Sequence, residues 1–546
     1  MAQGTILNLD FSKAQVLSNM LLDDEFVRLI VGPVGSGKTT ALCGEVMRRA
    51  LNQEPSPIDN VRYFKAAIVR NTMPELWRTT IETWLSLFRE DQCGPMRRSA
   101  PVSHRIIIPG NPNTGEPGLN LLVDFFAMDK PDNVRALLSY EGTLIWFNEV
   151  REIPRAVVKA ATDRVGRYPS MAKNGIMPTW FGVIGDTNPP DEDHWIYEFY
   201  NDPPENYHIY KQPPGVFECA EKEREDAEGA KTTYWQSTDA RAPSLRTEDP
   251  LRVVKAGGRI WVANPLAENL ENLPMAPRSV DKLGKGGYYL FRVSGKDRDW
   301  IRGYYQGDFG PIFDGKPVIP EFNRDVHVSE DVQILPDVPL IGGFDIGGGT
   351  LNSAAVIAQK HPRGPYLIHD EVNPDGEGIG LADFSAEMSQ ILAHRFPNVG
   401  NKVRYFWGDP AGRQRDALYA VTVFDHLMSM GLPVMEAPSN DPRLRIEAIK
   451  SPMGRLMDEG KPGILIHPRC KNLIKGLQGA WSYRRLQVSS ASEKFRDIPD
   501  KNQYSHVCDA LGYMLLGSGE GNVLKGRNMN SERRTSYMPD TKFKVL

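Results

Sequence analysis

Over the first 190 residues, short apolar runs alternate with stretches whose apolar positions recur every three or four residues. Residues 26–31 read as a buried strand, and residues 38–50, with Leu42, Val46 and Met47 at helical spacing, as the helix that follows it. Residues 65–69 predict a second strand. A helix from Pro74 to about Leu87 comes next, with its proline in the first turn. Residues 91–118 form a polar, Pro/Gly-rich excursion around one hairpin strand at 105–108. Further strands are predicted at 119–127 and 143–149, and another over 181–186 that ends in a polar tip. Strands interleaved with helices in this way predict an α/β domain built on a doubly wound, mostly parallel sheet. Residues 201–300 read as irregular, rich in Pro, Gly and charge, with aromatics at Trp235, Trp261, Tyr288, Tyr289 and Trp300. They are expected to close this domain and to add a lid-like subdomain.

A second pattern begins after Pro336. Strands are predicted at 340–346, at 352–359 and from Tyr366, and the glycines at 347–349 suggest a meander rather than a crossover. A helix from about Leu381 to Arg395, a strand at 403–409 and a late helix over 505–516 follow. The late helix carries Val507, Ala510, Leu511, Met514 and Leu515 on its apolar face, with His506, Asp509 and Tyr513 on the adjoining one. Meander, helix, strand and late helix is the order of a ribonuclease-H-like fold. The expected organisation is a first domain over residues 1–310, a linker over 311–335, a ribonuclease-H-like domain over 336–519 and a flexible basic tail over 520–546. That tail carries Lys525, Arg527, Arg533, Arg534, Lys542 and Lys544, and either orders on a partner or only keeps the chain soluble.

The chemistry of the first domain starts between its first strand and helix. Gly32, Pro33, Val34, Gly35, Ser36, Gly37, Lys38 and Thr39 match G-x-x-x-x-G-K-[ST], the phosphate-binding loop of P-loop nucleotidases. Small residues let backbone N–H groups turn inward around a phosphate, and the helix N-terminus behind them favours anions. Lys38 can reach the β- and γ-oxygens, and the Thr39 hydroxyl can ligate Mg²⁺, with Thr40 beside it in the nucleotide-binding set. The apolar strand ending in Asn148 and Glu149 has the shape of a Walker B element. Glu149 can polarise the attacking water as general base. The usual aspartate before it is Asn148 here, whose carbonyl oxygen can hold a water of the Mg²⁺ shell but brings no charge. Thr187 and Asn188, at the tip of the next strand, are placed to sense the γ-phosphate, or simply form a turn before Pro189. Arg70 ends its strand either in the ligand crevice or in solvent. Upstream, Gln15 either reads an adenine edge with its amide or stands exposed on a helix. The expected ligand is ATP with Mg²⁺ or Mn²⁺.

In the second domain, Asp345, Asp409 and Asp509 fall on the first strand, the fourth strand and the late helix. A ribonuclease-H-like fold can bring those elements together, and hard Mg²⁺ or Mn²⁺ ions require such oxygen ligands. Two ions roughly 3.5–4 Å apart would clamp the attacking water and the leaving oxygen of a phosphodiester. Asp345, Asp409 and Asp509 are therefore the expected metal ligands. His506 is a candidate helper, and Asp370 and Glu371 are alternative acids.

Composition narrows the classes left. A hydrophobic fraction of 40% and a charged fraction of 25% belong to a globular protein. With a net charge of −4, any nucleic-acid surface must be local, and Arg252, Lys255, Lys282 and Lys285 either line such a path or form a solvated face. Five scattered cysteines without a C-x-x-C pair indicate neither a disulfide framework nor a zinc ribbon. No signal peptide is legible and no apolar run approaches a membrane span, so reducing cytoplasm is the expected compartment and no membrane partner is expected.

The ordered set resembles the large terminase subunit of tailed bacteriophages over residues 10–520. It comprises a Walker A loop, a Walker B strand with its terminal glutamate, a Thr187-Asn188-Pro189-Pro190 tip and three late aspartates. Residues 300–310 followed by 318–322 are similar to that family's junction between motor and nuclease. Gly408-Asp409-Pro410-Ala411 and residues 505–513 are similar to its second and third nuclease motifs. The resemblance implies an ATPase that drives double-stranded DNA into a procapsid and an endonuclease that cuts the concatemer. It implies a homo-oligomeric ring, commonly five subunits, docked on the portal protein and guided by a small terminase subunit, in the host cytoplasm and transiently on the procapsid. It also implies an adenine-reading glutamine at Gln15 and an arginine finger acting across the ring. Arg135 occupies the matching stretch, with Arg164 and Arg167 as runners-up. Asn148 departs from the acid found in many members. The alternative reading is a P-loop helicase or DNA-repair ATPase whose ribonuclease-H-like domain is not catalytic.

Overall fold

In the computed structural model, strand β1 (Val27–Val31) is buried along its whole length. The residues described are 11–520, apart from 12, 130, 226, 228, 274–286, 311–315, 347–352, 374–380, 398, 400, 401, 414–421, 458, 459 and 487–493. Seven strands join β1 in one sheet: β2 (Val61–Arg70), β3 (Met96–Arg97), β4 (Val102–Ile108), β5 (Gly118–Ala127), β6 (Leu144–Asn148), β7 (Gly182–Thr187) and β8 (Tyr207–Lys211). The order is β3-β4-β5-β2-β6-β7-β1-β8. All neighbours from β5 to β8 run parallel, and only β3 and β4 are antiparallel at one edge. Helices cover both faces, so β1, β6 and β7 contain no exposed position. One face buries Leu42, Val46, Trp84 and Trp146; the other buries Leu137, Ile145, Phe147 and Val158.

Arg28 breaks the apolar run of β1 and yet is fully buried. Its guanidinium pairs with Glu45 Oε1 at 2.9 Å and donates to the carbonyls of Met20 and Asp23. Glu45 also receives Arg49 and Arg48, each at 2.7 Å, so one carboxylate ties β1 to the helix Lys38–Asn52. Removing one partner of such a cluster leaves unpaired buried charge. Glu45→Ala is expected to lower the stability of this unit by about 3–5 kcal/mol. A urea titration of the full chain, followed by tryptophan fluorescence, reads the change. A loss under about 1 kcal/mol, the figure for an exposed pair, would show that the cluster does not hold these elements together.

The stretch expected to be irregular after residue 201 instead holds a second, five-stranded antiparallel sheet. Its strands are β9 (Val216–Glu225), β10 (Lys231–Ser237), β11 (Arg246–Thr247), β12 (Val253–Ala256) and β13 (Arg259–Ala263), in the order β11-β10-β9-β13-β12. The first half of β9 is covered and the second half is solvated, so the two-residue alternation that marks a strand never lasts. Val216, Trp261, Tyr289, Val293, Ile301 and Tyr305 form its core. Of the basic residues singled out here, Arg252 pairs with Asp249 and Lys255 with Glu221. Lys282 and Lys285 lie outside the described residues.

The chain divides into two compact units between Ile312 and Phe313. Residues expected to be linker belong to the second unit: β14 (Lys316–Pro317) pairs with Ser482–Tyr483, and Val318 and Ile319 are buried in its core. The apolar Val318-Ile319 pair anchors the segment there. The main sheet of this unit contains β15 (Leu340–Asp345), β16 (Ala354–Lys360), β17 (Tyr366–Val372), β18 (Val403–Gly408), β19 (Val434–Glu436) and β20 (Ile464–Ile466). Its order is β19-β18-β15-β16-β17-β20. Strands β15 to β17 are an antiparallel meander, while β18 and β19 add in parallel beside β15. This is the ribonuclease-H-like arrangement, with one extra parallel strand, β20, beside β17. The glycines at 347–349 and the tail beyond residue 520 lie outside the described residues. The helix Gln503–Leu515 is started by Asn502, whose side chain accepts from the N–H groups of Tyr504 and Ser505. It crosses β15 at Gly343, where a Cβ would stand 2.0 Å from the Ala510 carbonyl oxygen. That contact requires glycine.

Candidate functional sites

In the first unit the loop Gly32–Gly37 leaves β1 at the carboxyl ends of the parallel strands. Gly35 and Gly37 both adopt positive φ, 82° and 85°, which turns successive N–H groups toward one point. The Lys38 ammonium is buried and donates to the carbonyls of Gly32 (2.9 Å) and Pro33 (2.8 Å) and, at 3.3 Å, to Asn188 Oδ1. Burial pushes its pKa down to about 8, with Glu149 and Asp186 opposing, so it remains a cation at neutral pH. Thr40 stands half-buried in the first turn of the helix.

Neighbouring segments fix the loop. Gln212, just past β8, accepts from the Ser36 hydroxyl at 2.6 Å and donates to the Ser36 carbonyl and to Glu268. Glu268 in turn accepts the backbone N–H of Val16, Asn269 donates to the Gly35 carbonyl, and the Tyr288 ring lies against Gly35. A Cβ on Gly32 would fall 2.1 Å from Gln212 Oε1. The roles of Gln212, Glu268, Asn269 and Tyr288 were not legible in the sequence, because each arrives from more than 170 residues downstream. Gln15 is exposed, and its amide donates to Asn19 within its own helix.

The end of β6 differs from the expectation. Asn148 spends its carbonyl oxygen on Arg70 and on Thr80, the latter at 2.7 Å, and so does not offer it to a metal shell. Its amide nitrogen instead donates to both oxygens of Asp186, at 3.1 and 3.0 Å. Asn148 and Asp186 are register partners on the parallel strands β6 and β7. Asp186 also accepts from the Trp146 indole at 2.7 Å and from the Thr39 hydroxyl at 3.1 Å. Sequence reading passed over this acid. The usable signal was an aspartate one residue before the end of the strand beside a Walker B element that lacks its own.

Glu149 follows in the left-handed conformation, φ 53°. Its carboxylate lies 3.4 Å from the Thr187 hydroxyl and the Asn188 N–H, and 3.5 Å from the Asn188 amide. These long contacts leave its acceptor capacity open. Arg151, another residue the sequence did not single out, faces Glu149 at 3.7 Å and reaches the Pro189 carbonyl and the Tyr304 hydroxyl. Arg135 lies on the helix Pro131–Leu138, 81% exposed, with an ion pair to Asp132 in its own helix. Arg164 is half-buried and Arg167 exposed.

In the second unit Asp345 ends β15 and Asp409 follows β18. The parallel pairing of Phe344 with Gly408 sets the two acids side by side. Asp509, on the late helix, faces the same end of the sheet. His506 Nδ1 donates to Asp345 at 2.7 Å, and its Nε2 is buried without a partner. Arg445 binds Asp509 at 3.1 Å and donates to the Tyr513 hydroxyl at 2.7 Å. Lys501 also pairs with Asp509. Burial raises the Tyr513 pKa, Arg445 opposes, and Asp345 and Asp409 add to the rise, which places the phenol in the field of both acids. The three aspartates thus share one end of the sheet but are not equivalent: Asp509 is neutralised by two cations. They are not drawn into one tight cluster. Among the described residues, the group of acids and histidine with ligand atoms all within 4.8 Å of one another is Asp23, Glu25 and His208, in the first unit.

The alternative acids are committed elsewhere. Asp370 pairs with Arg395 and Arg469. Glu371 accepts the N–H groups of Asn472 and Leu473, both at 2.8 Å, and burial pushes its pKa up to about 7. The cysteines are free, and no described helix is long and apolar enough to cross a membrane.

No family model matches the sequence, and no curated protein matches it. Among solved structures, the chain is similar to the large terminase of a thermophilic bacteriophage at 13% identity, covering 93% of this chain and 98% of that one, with a TM-score of 0.34. That terminase has also been solved with ADP and with ATP-γ-S. The HK97 bacteriophage large terminase is similar at 10% identity over 94% of this chain and 95% of its own, with a TM-score of 0.34. The ATPase domain of the Thermus phage P74-26 large terminase is similar at 14% identity over 37% of this chain and 83% of its own, with a TM-score of 0.25. At these scores the likenesses carry no functional inference by themselves.

Proposed function

We propose that this chain is the large subunit of a phage terminase, a motor that hydrolyses ATP to drive double-stranded DNA into a procapsid and a nuclease that cuts the DNA concatemer. The observation that carries the reading is the union in one chain of two sites. One is a P-loop site with Glu149 at the mouth of the loop; the other is a ribonuclease-H-like sheet with aspartates at the ends of its two central parallel strands.

In the first site the loop N–H groups and Lys38 hold the phosphates, and Glu149 takes the proton of the attacking water. Thr187 and Asn188 touch Glu149 directly, so a change at the γ-phosphate is felt at the tip of β7. Thr39 and Asp186 put a hydroxyl and a carboxylate oxygen side by side, with Asn148 holding the carboxylate, a donor set that suits Mg²⁺, which when bound would neutralise phosphate charge. Exposed Arg135 fits a finger offered to a neighbouring subunit, which implies a ring, in the family commonly of five. In the second site Asp345 and Asp409 would hold Mg²⁺ or Mn²⁺, with Asp509 joining when Arg445 and Lys501 release it. His506 orients Asp345. The partners in this reading are DNA, the portal protein and the small terminase subunit, met in the host cytoplasm and transiently on the procapsid.

One observation favours the second reading, an ATPase with a non-catalytic ribonuclease-H-like domain: Asp509 is already paired with two cations. Packaging decides the motor. Procapsids, DNA and ATP with the full chain are expected to yield nuclease-protected DNA, and ATP-γ-S to yield none. No protected DNA with ATP would overturn the proposal.

A further inference from the structure

The end of β6 carries an amide where the Walker B acid is expected, and β7 carries a buried acid directly beside it in register. In P-loop sites the metal-side acid is the one next to the loop Ser or Thr. Here that acid is Asp186, 3.1 Å from Thr39 Oγ1. Its donors are all neutral: the Trp146 indole, the Asn148 amide and the Thr39 hydroxyl. The Lys38 ammonium offsets part of the carboxylate's desolvation cost without bonding to it, and a divalent cation would relieve the rest.

The amide at position 148 has a matching reason. With Arg70 and Thr80 fixing its oxygen, it can only present N–H groups, which go to both oxygens of Asp186 and, at 3.4 Å, to the Thr39 hydroxyl. An aspartate there would set two buried carboxylates at about 3 Å, where both cannot stay ionised.

We infer that the carboxylate serving the nucleotide's Mg²⁺ has moved from β6 to β7, where Asp186 supplies it and Asn148 is its positioning residue. The inference rests on the nucleotide-site reading above. It leaves Glu149 as the sole acid at the end of β6, free for the water.

The test uses the full chain, with Mn²⁺ as the metal probe, and measures two affinities. One is for ATP-γ-S in EDTA; the other is for Mn²⁺ in the presence of ATP-γ-S, read by the loss of the free-ion electron paramagnetic resonance signal. Asp186→Asn is expected to keep the EDTA affinity and to weaken Mn²⁺ at least as much as the ~10–100-fold seen on losing an outer-shell partner. The exchanged variant Asn148→Asp/Asp186→Asn is expected to recover most of that loss. Mn²⁺ affinity within about twofold of wild type in Asp186→Asn, well short of an outer-shell loss, overturns the inference. So does an exchanged variant no better than the single one. If Asp186→Asn fails to bind in EDTA, the smaller Asp186→Ser is measured against the same criteria. A wild-type chain that binds no nucleotide refutes the nucleotide-site reading itself.

Discussion

Glu149→Gln is expected to leave ATP-γ-S binding intact and to cut ATP turnover by about 10²–10⁴-fold, the usual contribution of a positioned general base. The geometry isolates this effect. Glu149 makes only long contacts, at 3.4 to 3.7 Å, to Thr187, Asn188 and Arg151, so glutamine can replace it without unpairing a buried charge. The phosphate cradle is built from other residues, Gly35, Gly37 and Lys38, whose hydrogen-bond partners do not include the Glu149 side chain. Affinity and turnover should therefore separate. Glu149→Ala should show the same split. Unchanged turnover in either variant would remove Glu149 from the role of base, and a parallel loss of affinity would make it a structural residue.

Asp345→Asn is expected to abolish metal-dependent cutting of plasmid DNA by the full chain while leaving ATP turnover at the wild-type rate. The loss should exceed the ~10–100-fold that follows removal of an outer-shell partner, because Asp345 would touch the ion itself. Asparagine keeps the volume and can still accept from His506, which lies 2.7 Å away. Asp345→Ala should cut no better. Undiminished cleavage in Asp345→Asn would sink the metal-site assignment. If the wild-type chain never cuts but still hydrolyses ATP, the second reading, with a non-catalytic second unit, takes over. In that case the pairing of Asp509 with Arg445 and Lys501 is its permanent state.

Where a signal is local, the sequence was enough. The P-loop is contiguous, and its glycines at 35 and 37 are needed for their own φ angles. The central strands β1, β6 and β7, buried on both faces, show as mainly apolar runs, β1 interrupted only by Arg28 and the other two ending in polar residues. The helices Lys38–Asn52 and Leu381–Arg395 carry their periodicity openly. The antiparallel sheet over residues 216–263 was missed because its strands are covered over only part of their length. The partition of the chain moved because Val318 and Ile319, an apolar pair in a polar stretch, bind it to the second unit.

The sequence alone determined that a phosphate loop follows the first strand, that a glutamate stands at the end of a later apolar strand, and that three aspartates stand in ribonuclease-H order. Each is a property of neighbouring residues. Only the tertiary structure decided which groups those residues meet. It turned the Asn148 carbonyl oxygen to Arg70 and Thr80, set Asp186 beside Thr39 across a strand pairing, and bound Asp509 to Arg445 and Lys501. Hydrogen bonds and ion pairs are set by distance in space. Residues 38 or 64 positions apart in the chain reach it only when strand order and helix packing bring them there.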